Sequence, residues 1–184
     1  MLTHTLLPGV ALRLLEERDA PELDAVVEAN REYLARWMPW AADNTEQDTL
    51  DYIRRVRKQL ADNDGLTTAI TVDGRIAGSV GMVSVSWRDL STEIGYWLAA
   101  EHQGRGIMTA AVRAYLDYAF DTLELNRVGV KAAIKNARSR AVPERLGFTY
   151  EGTEREAERL GGRAHDLASY SMLNTEWVRT RPAG

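Results

Sequence analysis

Apolar and polar positions along the chain alternate with two periods, and the switches between them mark the elements. "VALRLLE", Val10 to Glu16, changes character every second residue and predicts a first strand. Asp19 precedes "APELDAVVEAN" as an N-cap with Pro21 in the first turn, which predicts a helix from about Ala20 to Asn30. "REYLARWMPWAADNTEQD" is aromatic, interrupted by Pro39 and poorly periodic, and reads as a short helix and a loop. Leu50, Ile53, Val56 and Leu60 then fall at helical spacing behind Thr45 as cap and Asp48 at the capping-box position, predicting a helix over Glu46 to Ala61.

Two β-rich runs flank Asp73-Gly74, a strong hairpin signal, and "STEIGYWLAA" adds a further strand ending near Ala99. Beyond Gly104 and Gly106, Ala111, Ala114, Tyr115, Tyr118 and Ala119 return to helical spacing, and "RVGVKAAI" returns to strand. A strand, helix and strand in this order bring a parallel pair into the sheet. "ARSRAVPERLGF" reads as a helix closed by Gly147, followed by a hairpin through Gly161-Gly162 into "AHDLASYSMLN". The expected architecture is a single α/β domain over residues 1–184 with about seven strands, mostly antiparallel, and about four helices. The ends, 1–8 and 179–184, are expected to be loose.

Composition narrows the chemistry more than the fold. At 184 residues with 45% hydrophobic content the chain suits one well-filled core. Absence of cysteine excludes disulfides, thiolate catalysis and a Cys-based zinc site, and no His-x-x-x-His spacing suggests a metal. A net charge of −4 counts against nucleic acid or an anionic membrane as partner. No basic leader and no run of about 18 apolar residues occurs, so a soluble cytoplasmic protein is expected.

The glycine junction "HQGRGIMT" carries the most specific signal. A strand end, a glycine loop and a helix start expose unpaired backbone N–H groups at the positive end of a helix dipole, where an anion such as a pyrophosphate can bind. A tight strand-to-helix turn that needs glycine only for its φ angles explains the same residues. A P-loop lacks its Gly-Lys-Ser/Thr ending here, and the dinucleotide G-x-G-x-x-G pattern is absent.

"QGRGIM" before an alanine-rich helix, with "NARSRAVPERLGF" further on, resembles the acetyl-CoA signature of the GNAT superfamily of N-acetyltransferases. The first motif is met by Gln103 and Gly106, with Met108 at the last position as in the RimL-like, ribosomal-protein N-acetyltransferase branch. The second resembles the family's Asn-x-x-Ser helix at Asn136 and Ser139. "YLARWMPW" and "GGRAHDLASYSML" extend the similarity from about Val10 to Trp177. The resemblance implies a GNAT fold and acetyl-CoA as cosubstrate, held by Leu98, Gln103, Gly104, Arg105, Gly106, Met108, Thr109, Asn136 and Arg138. It also implies a primary-amine acceptor, with a protein N-terminus as the first reading and a polyamine, amino-acid derivative or antibiotic, or a non-catalytic CoA-binding sensor, as alternatives; a homodimer is compatible with it.

In such enzymes the amine attacks the thioester directly. An amine with a pKa of about 8 to 10 must first lose a proton. Strand alternation puts Glu93, Gly95, Trp97 and Ala99 on one face, where a partly desolvated Glu93 would serve as base; a solvated strand-end acid is the alternative. By resemblance Ser139 is the proton donor to the leaving thiolate, though a helix cap bonding an amide near Val142 explains it equally. Trp37, Trp40 and Tyr96 are candidates for the acceptor wall, against a core role for the tryptophans. Arg140 is expected to be a solvated surface residue.

Overall fold

The computed structural model describes residues 3–180, whose strands join one sheet in the order β1-β2-β3-β4-β5-β6-β8-β7. These strands are β1 (Thr3–Leu7), β2 (Val10–Leu14), β3 (Leu66–Val72), β4 (Arg75–Ser86), β5 (Ser91–Leu98), β6 (Arg127–Ala133), β7 (Thr149–Leu160) and β8 (Arg163–Leu173). The helices are α1 (Ala20–Ala29), α2 (Arg31–Leu34), α3 (Glu46–Ala61), α4 (Ile107–Asp117), α5 (Ala137–Arg145) and α6 (Asn174–Thr180). One apolar cluster, with Val80, Leu116, Val130 and Trp177, lies on the side of the sheet covered by α4, α5 and α6. A second, with Leu23, Ile53, Ala69 and Trp97, lies under α1 and α3.

Local chemistry explains most of these elements. Thr45 accepts the Asp48 N–H at 3.2 Å while Asp48 accepts the Thr45 N–H at 3.0 Å, so both ends of the expected capping box are made. Ile53 and Val56 of α3 are buried beside Thr49, whereas Leu60 at the end of the expected stripe is exposed. Asp73 and Gly74 both take positive φ, 49° and 81°, the geometry a two-residue hairpin requires. Asp19 departs from its expected role: it makes no side-chain cap to α1. Its carboxylate turns back to the Glu16 N–H at 2.8 Å and to Arg13 at 2.5 and 2.9 Å.

Both chain ends differ from expectation within the described residues. Thr3–Leu7, expected to be loose, is the edge strand β1, joined to β2 across Pro8 and Gly9, with Gly9 at φ +73°. It is the eighth strand. At the other end α6 carries the chain to Thr180, and its buried Trp177 donates to Asp117 at 2.9 Å; residues 181–184 lie outside the described part. Among the described residues no helix is long and apolar enough to cross a membrane.

One feature of the sheet positions the site. β5 and β6 form the expected parallel pair only over Ser91–Glu93 against Arg127–Gly129. β5 nevertheless stays paired with β4 as far as Leu98, and β6 with β8 as far as Ala133. The two strands therefore splay, and the sheet opens between them.

Candidate active site

The loop from β5 to α4 forms one side of this opening. It makes a short 3-10 turn over Ala100–His102, then passes Gly104 and Gly106 at φ +73° and +76°. An added Cβ at either glycine would meet nothing within 4 Å, so φ requires them and the space before them is open. The first bond into α4 runs from the Ala110 N–H to the Gly106 carbonyl at 3.0 Å, which leaves the N–H groups of Ile107, Met108 and Thr109 without an intrahelical acceptor. Gln103 fixes the loop: its Nε2 donates to the Leu98 carbonyl at 3.2 Å and to the Tyr33 hydroxyl, and its Oε1 accepts from Arg138 at 2.8 Å. The Ala100 N–H donates to Asn30 Oδ1 at 2.9 Å, tying the loop to the end of α1.

Helix α5 forms the other side. Asn136 is its cap, accepting the Ser139 N–H on Oδ1 at 3.1 Å, so the capping part considered for Ser139 is played by Asn136. Pro143 lies inside the helix, and the Tyr96 hydroxyl donates to the Ser139 carbonyl at 2.9 Å. Arg140 is not the solvated residue expected. It donates to Tyr170 Oη at 2.8 Å and to the Ile134 carbonyl at 3.1 Å, joining α5 to β8 and to the end of β6.

Two cavities meet at the opening. One, about 1030 Å³, lies on the α4 side and is lined by the glycine loop, the start of α4, α5 and β1. The other, about 1040 Å³, lies on the α3 side. Trp37, Met38, Tyr96, Trp97, Asn136 and Ser139 line both. The α4-side cavity collects Leu98, Gln103, Gly104, Gly106, Met108, Thr109 and Arg138 from the expected cofactor set. Arg105 is exposed and stands outside that lining, with Nη1 at 3.4 Å from His102 Nδ1.

Glu93 and Trp40 line the α3-side cavity. Glu93 is partly covered, with its side chain 44% exposed and Lys131 Nζ 3.8 Å away. Trp40, 46% exposed, is no core residue; its ring stands 6.2 Å from that of Trp97. Lys131 and Arg55 line this cavity with Glu93, while Asp43, Asp48, Asp51 and Glu158 add negative charge.

Sequence reasoning missed part of this wall. Arg113 and Arg145 line the α4-side cavity, and helical spacing could have found both: Arg113 is one turn after Thr109, and Arg145 two turns after Arg138. His4 to Leu7 of β1 and Tyr52 and Arg55 of α3 carry no such local signal. A helix start with free N–H groups, two glycines facing open space and three arginines on one cavity fit a polyanionic ligand with a long neck. Among the described residues no group of three or more His, Asp or Glu could hold a metal ion.

Residues 10–149 match the family model described as an acetyltransferase (GNAT) domain. The chain belongs to the GNAT acetyltransferase family. It is an acetyl-CoA-dependent N-acetyltransferase with the mixed α/β sheet of that family. Among GNAT relatives, it is 40% identical over 179 residues to "Putative ribosomal N-acetyltransferase YdaF" of Bacillus subtilis, covering 96% of this chain and 98% of that one. It is 31% identical to the ribosomal-protein-serine acetyltransferase of Escherichia coli, over 55% of this chain and 56% of that one. Among solved GNAT structures, a RimL ribosomal L7/L12 α-N-protein acetyltransferase in complex with coenzyme A superposes with a TM-score of 0.88. Its identity is 25%, and the match covers 94% of this chain and 98% of that one. The microcin C7 self-immunity acetyltransferase MccE, in complex with acetyl-CoA and AMP, superposes with a TM-score of 0.87 at 28% identity, covering 91% and 94%.

Proposed function

We propose that this acetyltransferase modifies a protein N-terminal α-amine of the ribosomal-protein type, with Glu93 as base and Ser139 as acid. The observation that carries the reading is the meeting of two cavities from opposite faces of the sheet at Tyr96, Asn136 and Ser139. The names of the relatives YdaF and RimL support the acceptor class. A cavity of about 1040 Å³, open on the side of exposed Trp40, suits the end of a polypeptide. A ribosomal acceptor would put the enzyme in the cytoplasm.

Each residue has a definite task in this reading. The α4 N–H groups with Gly104 and Gly106 hold phosphate, and Asn136 and Arg138 hold the neck of the cosubstrate. Bound acetyl-CoA supplies the thioester carbonyl as acyl donor. On the α3 side, a Glu93 carboxylate oxygen takes the proton that an acceptor ammonium must lose before its nitrogen is nucleophilic. Ser139 Oγ holds a donatable proton where the cavities meet, and Trp37 and Trp40 flank the incoming amine.

Free-thiol release from acetyl-CoA, measured against peptides with free N-termini, spermidine and aminoglycosides, tests the reading. N-terminal peptides should give the highest kcat/KM, and Glu93→Gln should lower kcat about a hundredfold with CoA affinity within about twofold. Preference for spermidine would replace the acceptor class, and unchanged turnover in Glu93→Gln would remove Glu93 as base.

A further inference from the structure

Pro143 creates a local deficit that β5 makes good. In an uninterrupted helix the amide of residue 143 would donate to the carbonyl of Ser139, and proline has no amide hydrogen. The Tyr96 hydroxyl takes the missing donor's place at 2.9 Å, reaching from β5 across the opening to α5. Burial raises the Tyr96 phenol above its ordinary range, with the Ser139 hydrogen bond opposing, so the hydroxyl remains a protonated donor at working pH. Tyr96 also lines both cavities, at the level of Asn136 and Ser139. Its ring thus stands at the constriction while its only hydroxyl proton is engaged with backbone.

We propose that Tyr96 is a positioning residue: its hydroxyl replaces the amide that Pro143 lacks and so holds the Asn136–Ser139 turn against the β5–β6 opening. The inference rests on the reading that acetyl transfer occurs at this opening. It adds an indirect role to the acceptor-wall contact expected for Tyr96: the ring lines the α3-side cavity while the hydroxyl proton is given to the Ser139 carbonyl. It also makes proline and tyrosine a matched pair, 47 positions apart in the chain.

A double-mutant cycle with Tyr96→Phe and Pro143→Ala tests the pairing, read by calorimetry with CoA and by hydrogen exchange of the Ser139 and Arg140 amides. Tyr96→Phe leaves a carbonyl without its donor and should weaken CoA binding and speed exchange by about tenfold each. Pro143→Ala alone should stay within about twofold of the parent, since a carbonyl accepts two hydrogen bonds. In the double variant the amide restored at position 143 fills the vacancy, and both quantities should recover to within about threefold of Pro143→Ala. A double variant as impaired as Tyr96→Phe would overturn the inference, as would a Tyr96→Phe protein that binds and exchanges like the parent. If the parent gives no heat with CoA, the placement of the cosubstrate at this opening fails instead, and the exchange cycle alone decides whether Tyr96 holds the turn.

Discussion

Asn136 answers to two demands, and substitutions can separate them. Its Oδ1 caps α5 by accepting the Ser139 N–H, while the residue lines both cavities. Asn136→Ala should cost about 1 kcal/mol of stability through the lost cap and weaken CoA binding as well. Asn136→Asp keeps an acceptor for the cap but loses the amide donor. We expect near-parent thermal unfolding with weakened CoA binding in calorimetry; an aspartate variant normal in both would leave Asn136 as a cap and nothing more.

At the scale of elements, the start of α4 poses the question raised by the sequence: whether its glycines serve the turn or the ligand. Gly104 and Gly106 share nearly the same φ and the same empty surroundings. Alanine at either should therefore cost about 1 to 2 kcal/mol of backbone strain and no clash within the free protein. A further loss of CoA affinity relative to the parent, about tenfold in either variant, would place the ligand against the glycine loop and helix start. Equal affinities after correction for stability would return the junction to a plain turn.

The same contrast explains what could be read from the chain. α3, with Thr45 and Asp48 at its start, and the hairpin at Asp73-Gly74 declare themselves through residues a few positions apart. So do Gln103, Gly106, Asn136 and Ser139, because each cavity-lining motif is itself a short loop and helix start. β1 does not: "THTLL" is mostly exposed, has no alternating stripe, and is held by backbone pairing to β2 at the edge of the sheet. Glu93 shows a different limit. Alternation gave its face correctly, but its neighbour Lys131 is brought alongside by β6, a contact between distant segments.

For the whole molecule, the strands beyond the opening need their own fastening. Arg127 of β6 meets Glu151 of β7 at 2.8 and 2.5 Å, and Ser171 of β8 between them donates to Glu151 at 2.9 Å. The Arg127 and Ser171 hydrogen bonds hold the Glu151 carboxyl down at about 2, against an ordinary value of 4.5. A lowered carboxyl stabilises the fold above its unfolded pKa, and that contribution fades as pH falls from about 4.5 to about 2. Both side chains are more than a third exposed, so screening should limit the effect to less than about 1 kcal/mol. Urea unfolding of the parent and Glu151→Gln should differ by that amount at pH 6 and converge as the pH approaches about 2. A gap that persists in acid would assign the difference to packing.

The splay also governs traffic. With the cosubstrate on the α4 side and the acceptor on the α3 side, as proposed, the two would enter from opposite faces and neither would have to wait behind the other at a common doorway. In that arrangement departure of the spent carrier and arrival of the next acceptor would be separate events, each with its own opening. The boundary between them is made by Trp37, Met38, Tyr96 and Trp97 with the Asn136–Ser139 turn, and under the proposed placement a ternary encounter is favoured over a shuttle that visits the two partners in turn.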